Sequence, residues 1–220
     1  MKTLFERIAP AAVGVKICGI TNPEDMDLCL EAGADALGFN FYHGSKRFIE
    51  IEKERDWLRK VPDSVLRVAV VVNPTREEAL SLLSESFIDA IQLHGDEDLD
   101  FCKMLAKTSG KEVIKAVRVQ SVESLAALGV FADFPVLLDA FAGHEMGGTG
   151  TTFNWEWLEN LPKIDRILLS GGLNSENVAS ALRRTNVRYV DVASGVEKSP
   201  RKKSATTVRQ FLSQVHKSHL

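Results

Sequence analysis

A cysteine stands where an apolar run, VGVKI (Val13 to Ile17), gives way to glycine: Cys18 precedes Gly19, and a helix-start signature follows at Asn22, Pro23 and Glu24. A structural cysteine usually lies inside an apolar run and packs as a small hydrophobe. One at the end of a run can face a cavity, where its thiolate can act as a base or nucleophile. Other runs end on chemically capable residues as well: Gln92 and His94 after DAI, Asp139 after PVLL, and Asp191 in RYVDVASG. A carboxyl group such as that of Asp139 can deliver a proton if its surroundings keep it protonated. His94 reads equally as a site residue or as a structural donor at a strand end. Arg47, in YHGSKRF, can grip a carboxylate with two parallel hydrogen bonds or stand as a solvated loop charge. Two runs end in glycine, at Ser170-Gly171-Gly172 and at Ala193-Ser194-Gly195. Lacking a Cβ, such turns let backbone amides approach a phosphate, although a tight turn alone would also use them.

These residues need elements to hold them, and the sequence alternates short β-rich runs with helical patterns throughout. Apolar runs at VGVKI, ALGFNF, VLRVAVVV, DAIQL, VIKAV, PVLLDA, RILLS and RYVDVAS read as buried parallel strands. Between them the spacing predicts helices over about 23–32, 49–59, 97–107 and 122–128, one capped by Thr75, a short one at 155–158, one starting at the Asn174 cap, and a terminal one over 204–215. About eight strand–helix units in this length point to a single-domain (β/α)8 barrel of the phosphate-binding type, with a doubly wound open sheet as the alternative. In such a barrel the site lies at the C-terminal strand ends, and phosphate sites recur after strands seven and eight. Those are the positions of the two glycine turns. The barrel is expected over residues 13–220, behind an N-terminal extension (1–12) that could be an ordered strap or a frayed tail. The polar stretch from Gly143 to Thr152 is long enough for a lid. ICGITNPEDM and LSGGLNSENV align, which suggests one turn grammar used twice.

Bulk properties narrow the function classes. The chain of 220 residues is 45% hydrophobic and 26% charged, as in ordinary globular proteins. Its net charge of −3 argues against nucleic acid as the main partner. The basic run KSPRKKS (Lys198 to Ser204) reads as a solvated turn. Three cysteines without CxxC spacing suggest neither a disulfide framework nor a zinc site, and a cytoplasmic setting is expected. No segment approaches a membrane span. Cys29 and Cys102 fall on predicted helices and read as packing residues.

The motifs KICGIT with NPED, GADALGF with SKRF, QLHG, LLDA with GGTG and FNW, LSGGLNSENV, and DVASGVE together resemble the phosphoribosylanthranilate isomerases of tryptophan biosynthesis. The likeness is colinear from about Val15 onward. It implies a rearrangement without cofactor or metal, converting N-(5-phosphoribosyl)anthranilate to 1-(2-carboxyphenylamino)-1-deoxyribulose 5-phosphate. It implies Cys18 as general base, Asp139 as general acid and Arg47 on the anthranilate carboxylate. Gly171, Gly172, Ser194 and Gly195 would hold the phosphate, and Gln92, His94 and Asp191 would contact the substrate. The partner is this small phosphorylated molecule, with neither nucleic acid nor membrane expected; a non-covalent partner enzyme is not excluded, and homodimer and monomer both stay open. The chain departs from the family pattern at His43 and Gly44 before SKR, at Thr151 after GGTG, and at Asn154 before Trp155. The related sugar-phosphate isomerases of histidine biosynthesis use aspartate at the first strand end, which Cys18 argues against. A non-catalytic barrel that only binds a phosphorylated metabolite is the other alternative.

Overall fold

The computed structural model describes residues 3–6, 8, 9, 12–140, 154–158 and 166–218. Strands β1 (Gly14–Cys18), β2 (Ala36–Asn40), β3 (Leu66–Val71), β4 (Ala90–Leu93), β5 (Glu112–Val119), β6 (Val136–Ala140), β7 (Ile167–Leu169) and β8 (Tyr189–Val192) pair in parallel in chain order. β8 returns to β1 through Gly14 to Ile17, which closes the barrel and excludes the open sheet. Helices α1 (Pro23–Glu31), α2 (Ile51–Leu58), α3 (Arg76–Ser84), α4 (Leu99–Ser109), α5 (Ala127–Val130), α6 (Val178–Thr185) and α7 (Ala205–Lys217) cover the outside. The loop expected to act as a lid lies outside the described residues, as does Thr151.

The caps explain most boundaries. Asn22 Oδ1 accepts from the Asp25 amide, and Pro23 opens α1 where its missing N–H costs nothing. Thr75 and Glu78 form a reciprocal capping box on α3. Two helices start differently from expectation. Residues 122–126 wind as a 3₁₀ turn before the single turn of α5, with Ser124 N bonded to Ser121 O three residues back. Asn174 caps a turn, accepting from the amides of Glu176 and Asn177, and α6 itself begins at Val178. The Asn177 side chain, bonded to Gly172 O and Asn174 N, competes with the helical ladder and delays its start. The shared turn grammar of Asn22 and Asn174 nevertheless holds, since each accepts from the amide three residues on.

Strand side chains alternate in and out with period two, so each strand delivers every second residue to the barrel interior. Ala36, Leu66, Val68, Ala90, Ile114, Ala116, Leu137, Leu168 and Tyr189 form one buried cluster inside the barrel. The larger core lies between strands and helices and takes the opposite parity, for example Ile17, Leu37, Ala69, Ile91, Leu138 and Val190. The N-terminal extension reaches the inner cluster: Leu4 is fully buried in it, its N–H donates to Glu112 Oε2 at 2.8 Å, and Phe5 meets Tyr189 edge-on at 5.4 Å. This part of the extension is an ordered strap over the N-terminal end of the barrel.

The basic run is a solvated turn only over residues 198–201, which are exposed. β9 (Glu197–Ser199) and β10 (Lys202–Lys203) pair as a short antiparallel hairpin, and Lys203 is buried against the barrel mouth. Its four-carbon stem reaches inward past the hairpin, a placement that charge counting cannot foresee.

Candidate active site

The same parity that fills the barrel with apolar side chains brings polar ones to its C-terminal end. Continuing inward from Leu137 gives Asp139, from Leu168 gives Ser170, from Tyr189 gives Asp191, and from Ala90 gives Gln92 and His94. A cavity open at its mouth is lined by these residues together with Cys18, Asn40, Arg47, Gly171, Gly172 and Ser194. Of the residues expected from sequence, only Gly195 does not line it. A Cβ there would clash with Leu173 O, so this glycine allows the turns after β7 and β8 to pack closely.

Cys18 is half-buried at the end of β1, and a set of charges surrounds it. Lys16, two residues back on the same face, is fully buried; its Nζ donates to Asp191 Oδ1 at 2.6 Å, and Ser170 Oγ donates to Asp191 Oδ2 at 2.9 Å. Lys203 Nζ donates to Cys18 O at 2.7 Å, Ala193 O at 3.0 Å and Glu197 Oε1 at 3.1 Å, which ties the end of β1 to the turn after β8. Burial pushes the Cys18 thiol above its ordinary value, a rise that Lys16, Lys203 and Arg47 reduce and Asp191 adds to. Burial also works to lower the Lys16 ammonium, but Asp191 and Cys18 outweigh it and leave it raised. Lys203, without an equal compensation, is lowered by its burial. Gly38 makes room for this cluster: a Cβ would stand 2.7 Å from Cys18 Sγ and 3.1 Å from Lys16 Nζ. Sequence reasoning did not find Lys16, Lys203 or Glu197. The parity of Lys16 with Cys18 was the available signal for the first.

Arg47 presents its fork to Glu197, with Nε to Oε1 and Nη2 to Oε2 both at 2.7 Å. Glu197 raises the Arg47 guanidinium above its ordinary value. Burial pushes the Glu197 carboxyl up, but Arg47 and Lys203 together hold it below the usual range. Arg47 Nη1 has no acceptor among the described residues and is the donor left for a ligand. Arg201, at φ +72° in the turn of the β9–β10 hairpin, donates to Phe48 O at 2.7 Å and so holds the loop that carries Arg47.

Across the β4–β6 side, His94 Nε2 lies 3.2 Å from Asp139 Oδ2, and His94 Nδ1 lies 2.9 Å from Gln92 Nε2. Lys115 and Glu97 pair at 2.8 Å and hold the turn after β4, Lys115 through Gly95 O and Glu97 through the Gly95 and Asn73 amides. On the β7 side, Gly171 and Gly172 take φ +81° and +66°, a conformation that favours glycine. The N–H groups of Gly171, Gly172 and Leu173 find no acceptor among the described residues, which makes this turn a ready anion cradle.

Residues 15–214 match the family N-(5'phosphoribosyl)anthranilate (PRA) isomerase. The chain belongs to this family. It is 44% identical over 204 residues to the N-(5'-phosphoribosyl)anthranilate isomerase of Thermotoga neapolitana, covering 91% of this chain and 97% of the relative. The crystal structure of phosphoribosyl anthranilate isomerase from Thermotoga maritima superposes with a TM-score of 0.86 at 41% identity, over 93% of this chain and 99% of that one. An isomerase solved in complex with reduced 1-(o-carboxyphenylamino)-1-deoxyribulose 5-phosphate superposes at 0.81 with 38% identity, over the same shares. The part of this chain with no counterpart in the matched family region includes the strap that carries Leu4.

Proposed function

We propose that this isomerase opens and rearranges N-(5'-phosphoribosyl)anthranilate with Asp139 as general acid and Cys18 as general base. The observation that carries the reading is one cavity lined by Cys18, Arg47, Asp139 and the Gly171–Gly172 turn. Asp139 gives a proton to the furanose ring oxygen, the C1–O bond breaks, and the anthranilate nitrogen takes up the positive charge as an iminium. The Cys18 thiolate removes the C2 proton, the electron pair forms the C1–C2 double bond, and the iminium is neutralised as an enolamine. Proton return to C1 with loss of the C2 hydroxyl proton gives the ketone. No cofactor or redox change is needed, since the hydrogen lost at C2 is balanced by that gained at C1.

The free amides of Gly171 to Leu173 receive the phosphate, aided by Ser194. Arg47, with its fork committed to Glu197, directs Nη1 at the anthranilate carboxylate. Asp191 acts on the base through Lys16: a buried ion pair is costly to desolvate and weak as a stabiliser, which makes a role in catalysis the better account of it. Every residue named comes from one barrel, so a monomer is catalytically sufficient. Three free thiols go with a reducing, cytoplasmic setting. Among the described residues, no helix is long and apolar enough to cross a membrane.

The test is turnover of freshly made phosphoribosylanthranilate, followed by loss of anthranilate fluorescence, in wild type, Cys18→Ser and Asp139→Asn. Each substitution removes an acid–base group worth about 10²–10⁴ in rate. Full activity in either variant would remove that residue from the mechanism, and an inactive wild type that binds the product analogue would leave a binding protein.

A further inference from the structure

The proposed reaction fixes two points of the substrate at once: the C2 proton must meet Cys18 while the carboxylate sits on Arg47. These residues come from different segments, the end of β1 and the loop after β2, so the spacing between the two segments matters. Every hydrogen bond that the Arg47 guanidinium makes among the described residues goes to Glu197, the first residue of β9. The stem of Arg47 crosses over Gly19, where a Cβ would clash with Arg47 Cδ, and this brings it beside the end of β1.

The β9–β10 hairpin grips both segments. Toward the first, Lys203 Nζ donates to Cys18 O at 2.7 Å, Lys203 N to Asp25 Oδ2 at 2.9 Å, and Thr21 Oγ1 to Arg201 O at 2.9 Å. Toward the second, Glu197 takes the Arg47 fork, and Arg201 Nη1 donates to Phe48 O at 2.7 Å and Lys46 O at 3.3 Å. The two grips meet inside the hairpin, where Lys203 Nζ donates to Glu197 Oε1 at 3.1 Å. Lys203 spends its remaining ammonium hydrogen on Ala193 O, so none is left for a ligand. Its side chain is fully buried and that of Glu197 nearly so, which gives the link little slack.

We infer that the β9–β10 hairpin is a clasp that sets the spacing between Cys18 and Arg47, and that Glu197, Lys203 and Arg201 thereby determine which carboxylate position on the aryl ring is accepted. All three are positioning residues, and the inference rests on the reading of Arg47 as the carboxylate-binding group. With the guanidinium held through Nε and Nη2, an ortho carboxylate meets Nη1. A carboxylate on the next ring carbon misses that donor or draws the ribose away from Cys18. A loosened clasp lets Arg47 follow the displaced carboxylate, and the penalty on the wrong isomer shrinks.

The test is calorimetric binding of reduced 1-(o-carboxyphenylamino)-1-deoxyribulose 5-phosphate and of its meta isomer. Both carry the same charge, so the ratio of their affinities reads position and cancels any change of charge in the protein. Wild type should favour the ortho isomer at least about tenfold, as for a hydrogen bond to a charged group. Arg201→Gly suits the φ of +72° at this exposed site and removes only the side-chain bonds to Phe48 and Lys46. Glu197→Gln sets an amide N–H group against one of the two fork donors. In each variant the ratio should fall at least about threefold, since displacements near an ångström already matter. A hairpin that only adds stability would lower Tm and leave the ratio alone, because the ratio does not depend on the folded fraction. A smaller fall in either folded variant would overturn the clasp, and Arg201→Gly decides alone where Glu197→Gln does not fold. Arg47→Met separates the two readings. An ortho preference that survives there, or is missing from wild type, defeats Arg47 as the carboxylate-binding group; one lost there but intact in the hairpin variants defeats the clasp alone.

Discussion

Replacing Leu4 by alanine tests whether the N-terminal strap is part of the fold or an appendage. Leu4 is fully buried among Leu66, Val68, Ile114, Leu137, Leu168 and other inward side chains, at the barrel end away from Cys18. Burying a leucine contributes about 1.5–3 kcal/mol by transfer alone, and truncation to alanine at rigid core sites costs about 2.7–5.0 kcal/mol once the cavity is counted. A terminal strap can shift to fill part of that cavity, which places the expected loss at about 2–3 kcal/mol. For a domain of this size each kcal/mol moves Tm by about 2–4 °C, so a drop of about 5–10 °C follows. Urea denaturation should show a lower midpoint with an unchanged slope, since the surface exposed on unfolding barely differs. Isomerase turnover at 25 °C should stay at the wild-type value. Leu4→Asp should go further, because it sets a second carboxylate beside Glu112, which already accepts the Leu4 amide. Equal midpoints for wild type and Leu4→Ala would refute the reasoning and leave the strap energetically idle. Loss of turnover with stability intact would refute the separation of the two barrel ends.

Gly38→Ala adds a methyl group 2.7 Å from Cys18 Sγ and 3.1 Å from Lys16 Nζ, so one of the two must move. With Cys18 as the proposed base, we expect kcat to fall at least about tenfold, a displacement by less than an ångström being enough, with cooperative unfolding retained; wild-type kcat would show that the position of Cys18 is not critical. The raised Cys18 thiol sets a pH dependence of definite sign. Burial favours the neutral thiol, so the thiolate fraction is small at pH 7 and grows as pH rises past the ordinary thiol value of about 8.5. kcat/KM should therefore still climb on its basic side between pH 7 and 8.5, and a plateau already complete at pH 7 would mean that Lys16, Lys203 and Arg47 outweigh burial.

The barrel was legible because its evidence is periodic and local. Apolar strand runs, the Asn22–Pro23 and Thr75 caps, and strand-end Cys18, His94 and Asp139 each depend on neighbours in sequence, and the structure places them as read. What could not be read depends on long-range pairing. Lys203 lies 185 residues from Cys18, whose carbonyl it holds, and Glu197 lies 150 from Arg47. A lysine in a basic run carries no mark that says its stem will cross a hairpin into the barrel mouth. Gly195 has a structural reason that sequence could not show, since a Cβ there would clash with Leu173 O across the turn after β7. The strap was undecidable from composition, since only the inner cluster reveals a vacancy of the right size for Leu4.

The two ends of this barrel divide the energetic work. Toward the C-terminal end, Lys16 with Asp191, Lys203 with Glu197 and Arg47, and Lys115 with Glu97 are drawn out of water. Desolvating such groups costs several kcal/mol per ion, and their mutual attraction at best offsets it. Their return is positional: they fix Cys18, the Arg47 guanidinium and the turn that carries His94. The inner cluster toward the opposite end is built of apolar side chains, from Ala36 and Leu66 to Leu168, and Leu4 completes it. A strap that adds stability there can compensate for charge burial at the mouth without touching the cavity. On this argument the strap and the buried charges should trade off. A substitution that neutralises the Lys16–Asp191 pair with matched apolar groups would cost activity but leave Leu4→Ala better tolerated in temperature, and measuring Tm for the combined variant against Leu4→Ala alone decides it.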